Sequence, residues 1–198
     1  MLLHWQTLKA QVAACEGCAL CNTRTQTVFG EGSQQADILF VGEGPGREED
    51  LQGRPFVGPA GQLLDKMLSA IDLDREKVYI ANIVKCRPPQ NRVPLEEEVL
   101  ACLPYLRAQT GLLKPRIIVC LGATAAKYIY DREVRITRAR GIWKEKKGVW
   151  ILPTYHPAAL LRDPDKKKEA WADLQSIRDR YASLIAEGGA VQSPEQMV

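Results

Sequence analysis

The stretch "DILFVGEGPGREED", Asp37 to Asp50, decides the fold class of this chain. It joins a short apolar run, Ile38–Val41, directly to a glycine-rich turn and then to an acidic segment. Three similar apolar runs follow, at Val78–Val84, Ile117–Leu121 and Val149–Leu152. All four are rich in β-branched residues and lack polar alternation, which is typical of strands covered on both faces of a parallel sheet.

Segments with apolar residues at helical spacing separate these runs, for example "AGQLLDKMLSAI" and "KKKEAWADLQSIRDRYASLI". Strands that alternate with helices predict an α/β fold. We expect a three-layer sandwich, with a central, mainly parallel four-stranded sheet flanked by helices. Residues 1–185 would form a single domain, and residues 186–198, which lose the periodicity and gain Gly, Pro and Ser, would form a disordered tail.

Length and composition fit one globular domain. The chain has 198 residues, of which 45% are hydrophobic and 26% are charged. The net charge of +3 is compatible with nucleic acid without requiring it. The N-terminus does not resemble a signal peptide, and no apolar run approaches the ~20 residues of a membrane span. We therefore expect a cytoplasmic protein with no membrane partner, in which cysteines serve as metal ligands more readily than as disulfides.

The ends of the apolar runs predict where a ligand binds. In parallel sheets, ligands bind beyond the carboxyl ends of the strands. The residues at those ends are the glycine turn Gly42–Gly46, Asn82, Gly122 and His156. A histidine fixed before a proline at this edge is a candidate functional residue, although it is also compatible with a packed side chain bonded to a backbone carbonyl.

The glycine turn does not match a phosphate-binding loop. The dinucleotide fingerprint needs glycine where the chain has Arg47, and no Gly-Lys-Ser/Thr follows. The nearby carboxylates, such as Glu43 and Glu48, would repel a phosphate. We therefore predict no nucleotide cofactor, and a turn that either approaches a flat, weakly charged ligand or only connects a strand to a helix. Phe56, in the loop "GRPFVGPAG", is either a core plug or a surface on which a base stacks.

The cysteine spacing predicts a metal site. Cys15 and Cys18 form a C-x2-C pair, and Cys86 and Cys102 are the distant cysteines that complete four thiolates. Cys21 is a further thiol that can replace one of the distant ligands. Spacing alone leaves a structural zinc and an iron–sulfur cluster as alternatives.

Basic residues are concentrated in the segment Arg135–Gly148 and in the loops at the same sheet edge. Such residues usually form a solvated face, and here they also predict contacts with a phosphate backbone, which add affinity but no sequence specificity. The candidates for these contacts are Arg87, Arg92, Arg140 and Arg162.

Four motifs carry a resemblance to a known family. In order along the chain they are "GEGPGREED", "GRPFVGPAGQLLD", "YIANIVKCRPPQNR" and "HPAALL". Together with the four cysteines, they resemble the iron–sulfur-containing family 4 uracil-DNA glycosylases, from about Cys15 to about Tyr181. The resemblance implies an enzyme that flips uracil out of DNA and hydrolyses its N-glycosidic bond, which leaves an abasic site and starts base excision repair.

The resemblance also implies the site residues. A [4Fe-4S] cluster would bind to Cys15, Cys18, Cys86 and Cys102 and would tie the N-terminal segment to the 86–102 region. The uracil pocket would be formed by Gly42, Glu43, Gly44, Phe56, Asn82 and His156, of which His156, Glu43 and Asn82 would be catalytic. The partner would be uracil-containing DNA, single- or double-stranded, and the protein is expected to be a monomer.

The chemistry of these side chains fits that activity. The Asn82 amide can accept from uracil N3–H and donate to O4, whereas His156 can donate to O2 as negative charge develops on the leaving base. Glu43 would either stabilise the sugar cation or orient the attacking water, and the sequence leaves both roles open. One alternative is a non-catalytic iron–sulfur protein that binds nucleic acid. Another is a zinc-stabilised nucleotide-binding protein.

Overall fold

A six-stranded sheet forms the centre of the protein, described here by a computed structural model over residues 4–188. The strands are β1 (Glu31–Gly32), β2 (Ile38–Gly42), β3 (Tyr79–Asn82), β4 (Ile117–Leu121), β5 (Lys144–Lys146) and β6 (Val149–Thr154). Their spatial order is β1-β3-β2-β4-β6-β5. The four central strands are parallel, and both edge strands pair antiparallel to their neighbours.

Helices connect the strands. They are α1 (Trp5–Ala13), α2 (Arg47–Gln52), α3 (Pro59–Ser69), α4 (Glu96–Leu113), α5 (Ala123–Ile129), α6 (Ile136–Ala139), α7 (Pro157–Arg162) and α8 (Lys167–Gly188). Single 3-10 turns lie at Ala19–Asn22, Pro89–Asn91 and Pro164–Lys166. Within residues 4–188, none of the helices combines the length and the apolar character needed to cross a membrane.

The predicted parallel sheet is confirmed for the four apolar runs, but the count of four strands is wrong. The two additional strands lie at the sheet edges, where β1 has only two residues and β5 has the sequence Lys-Glu-Lys. Neither contains an apolar run, so the hydrophobic pattern gave no signal for them. Charged or very short edge strands are a common way to prevent pairing with another chain.

Side chains of β2 show why the protein has three layers. Ile38 and Phe40 point into one apolar cluster, which includes residues of α3, α7 and α8. Leu39 and Val41 point into a second cluster with residues of α4 and α5. Since successive strand residues face opposite sides, a strand without polar residues must be covered on both faces.

The N-terminal helix packs on α4 through Leu8 and Val12, which are 2% and 1% exposed. Trp5 contacts the edge of Phe29, with ring centroids 5.9 Å apart. This packing fixes the start of the segment that carries Cys15. At the other end of the chain, α8 extends through Gly188 into the predicted tail, and residues 189–198 of that tail lie outside the described part of the chain.

A buried carboxylate joins α8 to the end of β6. Asp173 is 1% exposed and accepts hydrogen bonds from Thr154 Oγ1 at 2.6 Å and from Arg140 Nε at 3.0 Å. Arg140 also donates to the Glu169 carbonyl at 2.6 Å. These bonds hold the strand end that leads into His156. The Arg140 guanidinium, expected from sequence to contact DNA, is thus bonded within the protein.

We predict that Asp173→Ala lowers the free energy of unfolding by about 3–5 kcal/mol, because it leaves a largely buried guanidinium without its partner. Urea unfolding followed by circular dichroism measures the effect. Asp179→Ala on the same helix is the control: its carboxylate is 68% exposed, and its ion pair with Arg178 should contribute less than about 1 kcal/mol. Equal losses in both variants would contradict the role of the buried pair.

Candidate active site

A cleft of about 590 Å³ opens at the carboxyl edge of the sheet. Its position agrees with the predicted ligand site, because β2, β3, β4 and β6 all end there. The cleft collects most of the candidate residues from separate segments of the chain. Among the side chains and turns that line it are Glu43, Gly44, Phe56, Asn82, Gly122, Thr124, His156 and Arg162.

The approach of three segments at the base of the cleft depends on Gly42. This residue pairs with Asn82 in the parallel register of β2 and β3. A Cβ atom added at Gly42 would lie 2.4 Å from Asn82 Oδ1 and 2.5 Å from Phe56 Cζ. Glycine is therefore the residue that allows the amide and the aromatic ring to meet here.

The Asn82 amide is the least satisfied polar group of the site. The residue is 2% exposed, and its Oδ1 is buried with no hydrogen-bond donor in residues 4–188. A buried amide oxygen without a partner costs free energy, and such groups are rare in native proteins. The oxygen is therefore placed to accept a hydrogen bond from a ligand in the cleft.

Phe56 provides a flat apolar face beside this amide. Its φ of 54° is unusual for a residue other than glycine and indicates local strain. Arg75 holds the strained loop by donating to the Phe56 carbonyl and, at 2.9 Å, to the Pro55 carbonyl. The Phe56 and His156 rings are stacked, with centroids 5.5 Å apart.

His156 begins α7 and is held in one tautomer. Its Nδ1 accepts from the Ala158 amide at 3.1 Å, so a neutral ring carries its hydrogen on Nε2. Burial, together with the positive charge of Arg162, lowers the pKa of His156 to about 4, and Glu49 opposes the shift. The imidazole is therefore neutral at pH 7 and able to donate from Nε2.

Glu43 is half-buried and accepts a hydrogen bond from Thr124 Oγ1. Thr124 lies in the first turn of α5, which follows the next strand of the sheet. This threonine gave no signal in the sequence, because a hydroxyl in the first turn of a helix is common and carries no distinctive motif. The bond fixes the orientation of the Glu43 carboxylate at the mouth of the cleft.

A second carboxylate, that of Glu49, joins two loops of the cleft. It is 9% exposed and accepts from the backbone amides of Val57 and Gly58, each at 2.9 Å, and of Gly46 at 3.1 Å. The acids after the glycine turn gave no sequence signal of burial, because such acids also form solvated first turns of helices. These acids occupy the same helical positions whether they are solvated or buried. Only the packing of the Phe56 loop reveals that Glu49 is enclosed.

The candidate DNA-contacting arginines differ in their partners. Arg92 makes two hydrogen bonds with the buried carboxylate of Glu98, at 2.6 Å and 2.8 Å. Arg87 donates to Asn91 Oδ1 at 2.7 Å, and Arg162 is exposed at the rim of the cleft. Arg140 lies in the Asp173 network described above.

A separate cavity brings the predicted metal ligands together. It is lined by Cys15, Cys18, Cys21, Cys86 and Cys102. Two chain segments far apart in sequence thus meet, as the spacing predicted. Cys21 lies in the 3-10 turn after Cys18, so the structure places this additional thiol beside the same cavity.

Two of these sulfurs accept hydrogen bonds from the protein. Arg24 Nη1 lies 3.2 Å from Cys86 Sγ, and the Lys85 amide lies 3.2 Å from Cys102 Sγ. Within residues 4–188, no three His, Cys, Asp or Glu side chains are placed to hold one metal ion. A single zinc needs every sulfur about 2.3 Å from one centre, whereas a four-iron cluster takes one thiolate on each iron. Cysteine thiolates are the ligands of both, so the sulfurs that line this cavity fit a four-thiolate metal site.

Comparison with known proteins gives a consistent result. The family described as the Uracil DNA glycosylase superfamily matches residues 29–175. A type-4 uracil-DNA glycosylase of Sulfurisphaera tokodaii is 46% identical over 183 residues, which cover 88% of this chain and 83% of the relative. The type-4 enzyme of Archaeoglobus fulgidus is 46% identical, covering 84% and 88%. That of Thermotoga maritima is 48% identical, covering 80% and 83%.

We predict that the His156 imidazole titrates near pH 4 and shows the Nε2–H tautomer above that value. Nitrogen-15 NMR on a His4→Gln variant, which leaves His156 as the only histidine, measures both. Because only the unfolded chain takes up this proton between about pH 6.5 and about pH 4, the free energy of unfolding should fall as the pH falls through that window. A midpoint near pH 6.5 would contradict the burial of the ring.

Proposed function

This chain belongs to the Uracil DNA glycosylase superfamily, and we propose that its cleft hydrolyses the N-glycosidic bond of a uracil flipped out of DNA. The function is that of the type-4 relatives, and the products are free uracil and an abasic site. The substrate is uracil-containing DNA, on which one protein molecule acts.

The observation that carries the proposal is the buried, unpartnered Oδ1 of Asn82. Uracil presents a donor at N3–H and an acceptor at O4, so one asparagine amide can accept from the first and donate to the second. Cytosine presents an acceptor at N3 and a donor at N4. Its binding would leave buried polar groups unpaired on both sides, and the cost of such mismatches gives strong discrimination.

Phe56 supports the flipped base. Extrusion of a base costs stacking and pairing energy, which the pocket must offset. The Phe56 face, held by the strained loop and by Arg75, offers a stacking surface that is already in place before the base arrives. For thymine, which differs from uracil by one methyl group, we propose that the turn Gly42–Gly46 forms the wall near C5.

His156 stabilises the leaving base. As the bond between C1′ of the sugar and N1 of the base breaks, its electron pair moves onto uracil and negative charge appears at O2. The Nε2–H of a neutral His156 can donate to that oxygen without losing its proton. The Ala158 amide, bonded to Nδ1, preserves the required tautomer.

Glu43 acts on the sugar rather than on the leaving base. Positive charge develops on the sugar, a water molecule adds its oxygen to C1′, and the proton that it releases to solvent balances the proton that the uracil anion takes up. A carboxylate fixed by Thr124 at the mouth of the cleft can orient that water and stabilise the cation through the same charge. Arg162, at the cleft rim, and Arg87, in the loop that follows Cys86, would contact the phosphate backbone.

We propose that Cys15, Cys18, Cys86 and Cys102 hold a [4Fe-4S] cluster. When bound, the cluster supplies a structural link and takes no part in the hydrolysis, which transfers no electrons. The residues themselves join the segment after α1 to the start of the Pro89–Asn91 turn and to α4. Arg24, which bonds Cys86 Sγ and the Cys15 carbonyl at 2.7 Å, reinforces this link.

We expect Asn82→Ala and His156→Ala to lower single-turnover excision from a uracil-containing oligonucleotide by about 10²–10³-fold, the range for the loss of one group that stabilises transition-state charge. Affinity for the same DNA should change far less, since the backbone contacts remain. Alkaline cleavage after reaction reports excision, and fluorescence anisotropy reports binding.

The wild-type protein with a thymine-containing oligonucleotide is the negative control for this assay. If the wild-type protein binds uracil-containing DNA without releasing uracil, the proposed enzyme is wrong and the protein is a binding module.

We predict that Cys86→Ala removes iron from the purified protein and lowers its melting temperature, because it breaks the link between the N-terminal segment and α4. Cys21→Ala is the matched control and should keep the iron content of the wild type. Iron analysis and calorimetry measure the two effects. An unchanged melting temperature in an iron-free Cys86→Ala variant would contradict the structural role.

A further inference from the structure

One buried lysine lies between the two sites. Lys85 is 1% exposed and stands three residues after Asn82 and one residue before Cys86. Lysine is almost never fully buried unless its charge is compensated, because removal of an ammonium group from water is costly. The neighbours of Lys85 therefore indicate what compensates it.

The contacts of Lys85 extend toward both sites. Its Nζ donates to the Asn82 carbonyl at 2.9 Å, and its backbone amide donates to Cys102 Sγ at 3.2 Å. The residue also lines the cavity of the five cysteines. Within the described chain, residues 4–188, no carboxylate forms a salt bridge with it.

The thiol cavity is the remaining source of negative charge. Four cysteine thiolates around an iron–sulfur core carry net negative charge, and electrostatic attraction is strong where water is excluded. A cluster in this cavity would compensate the Lys85 ammonium, and that attraction would hold the lysine where it bonds the Asn82 carbonyl. Arg24, the other cation lining the cavity, is only partly buried and bonds Cys86, so it does not replace Lys85.

We propose that Lys85 is a positioning residue that couples the cysteine site to the uracil pocket. The positive charge of its ammonium group compensates the negative charge of the thiolate site. Its hydrogen bond fixes the Asn82 peptide at the end of β3. The Asn82 side chain, whose Oδ1 is already unpartnered, then stays in place to receive N3–H. This inference rests on the proposed function and adds an electrostatic role for the cysteine site in base recognition.

The decisive variant is Lys85→Met in the cluster-loaded protein, because methionine keeps most of the apolar stem and removes both the charge and the donor. Removal of a positive charge beside the cluster should shift its midpoint potential to more negative values, since the reduced form loses a favourable interaction. A lysine that only filled space would leave the potential unchanged. Protein-film voltammetry or a dye-mediated titration followed by EPR measures the shift.

The second readout is uracil recognition. Affinity for an oligonucleotide carrying 2′-fluoro-2′-deoxyuridine, which resists hydrolysis, should fall about ten-fold, the size of one charge-assisted hydrogen bond. Affinity for the same oligonucleotide with thymine should stay the same. Lys85→Gln, a smaller side chain that keeps a donor without the charge, is the second variant. It should show the shifted potential and a smaller loss of uracil affinity than Lys85→Met.

Lys77→Met is the matched control, because Lys77 is 58% exposed and pairs with Asp74 at the surface. It should change neither readout. A midpoint potential equal to that of the wild type in both Lys85 variants would overturn the proposal, as would unchanged discrimination between the two oligonucleotides in Lys85→Met. Failure of the wild-type protein to release uracil would instead count against the proposed function, so the two failures remain distinguishable.

Discussion

The close approach of β2 and β3 at their carboxyl ends is the constraint on which the cleft depends. Gly42 and Asn82 are register partners there, and the absence of a side chain at Gly42 leaves room for both the Asn82 amide and the Phe56 ring. A Cβ atom at this point would separate the amide proposed to read the base edge from the ring proposed to stack on its face. The pocket is thus a consequence of parallel pairing together with one glycine, and the other elements secure the loops around it.

Buried carboxylates of this protein act chiefly as anchors for backbone. Glu49 holds the Phe56 loop by accepting three amide hydrogens, and Asp50 beside it accepts from the Thr25 amide at 2.9 Å. Asp173 differs in that it binds side chains, those of Thr154 at the end of β6 and of Arg140. This arrangement leaves Glu43 and His156, the proposed reactive groups, at the cleft, and the burial of the imidazole keeps it neutral. A neutral donor suits a leaving base that becomes an anion, because the site does not need to exchange a proton during the step.

The segment from Asn82 to Cys86 makes the two sites physically continuous. The strand end that carries the Asn82 amide is followed, within four residues, by Cys86 of the cysteine cavity, and Lys85 contacts both the Asn82 carbonyl and Cys102 Sγ. Because the hydrolysis needs no electron transfer, this continuity gives a physical reason for the proposed cluster, which would supply rigidity and charge beside the pocket. The same segment also leads into the loop of Arg87, so the pocket, the cluster and the proposed DNA contact share one short piece of chain.

The sequence by itself determined the four central strands, the edge at which Asn82 and His156 meet, and the set of cysteines that gather in one cavity. These features depend on local apolar runs and on the rule that parallel strands end at one edge, both of which are visible along the chain. Only the tertiary structure decided that Glu49 is enclosed, that Thr124 orients Glu43, and that two polar strands close the sheet edges. Burial and pairing of polar groups depend on residues distant in sequence. No local pattern distinguishes an acid that accepts hydrogen bonds from three backbone amides from an acid that is solvated.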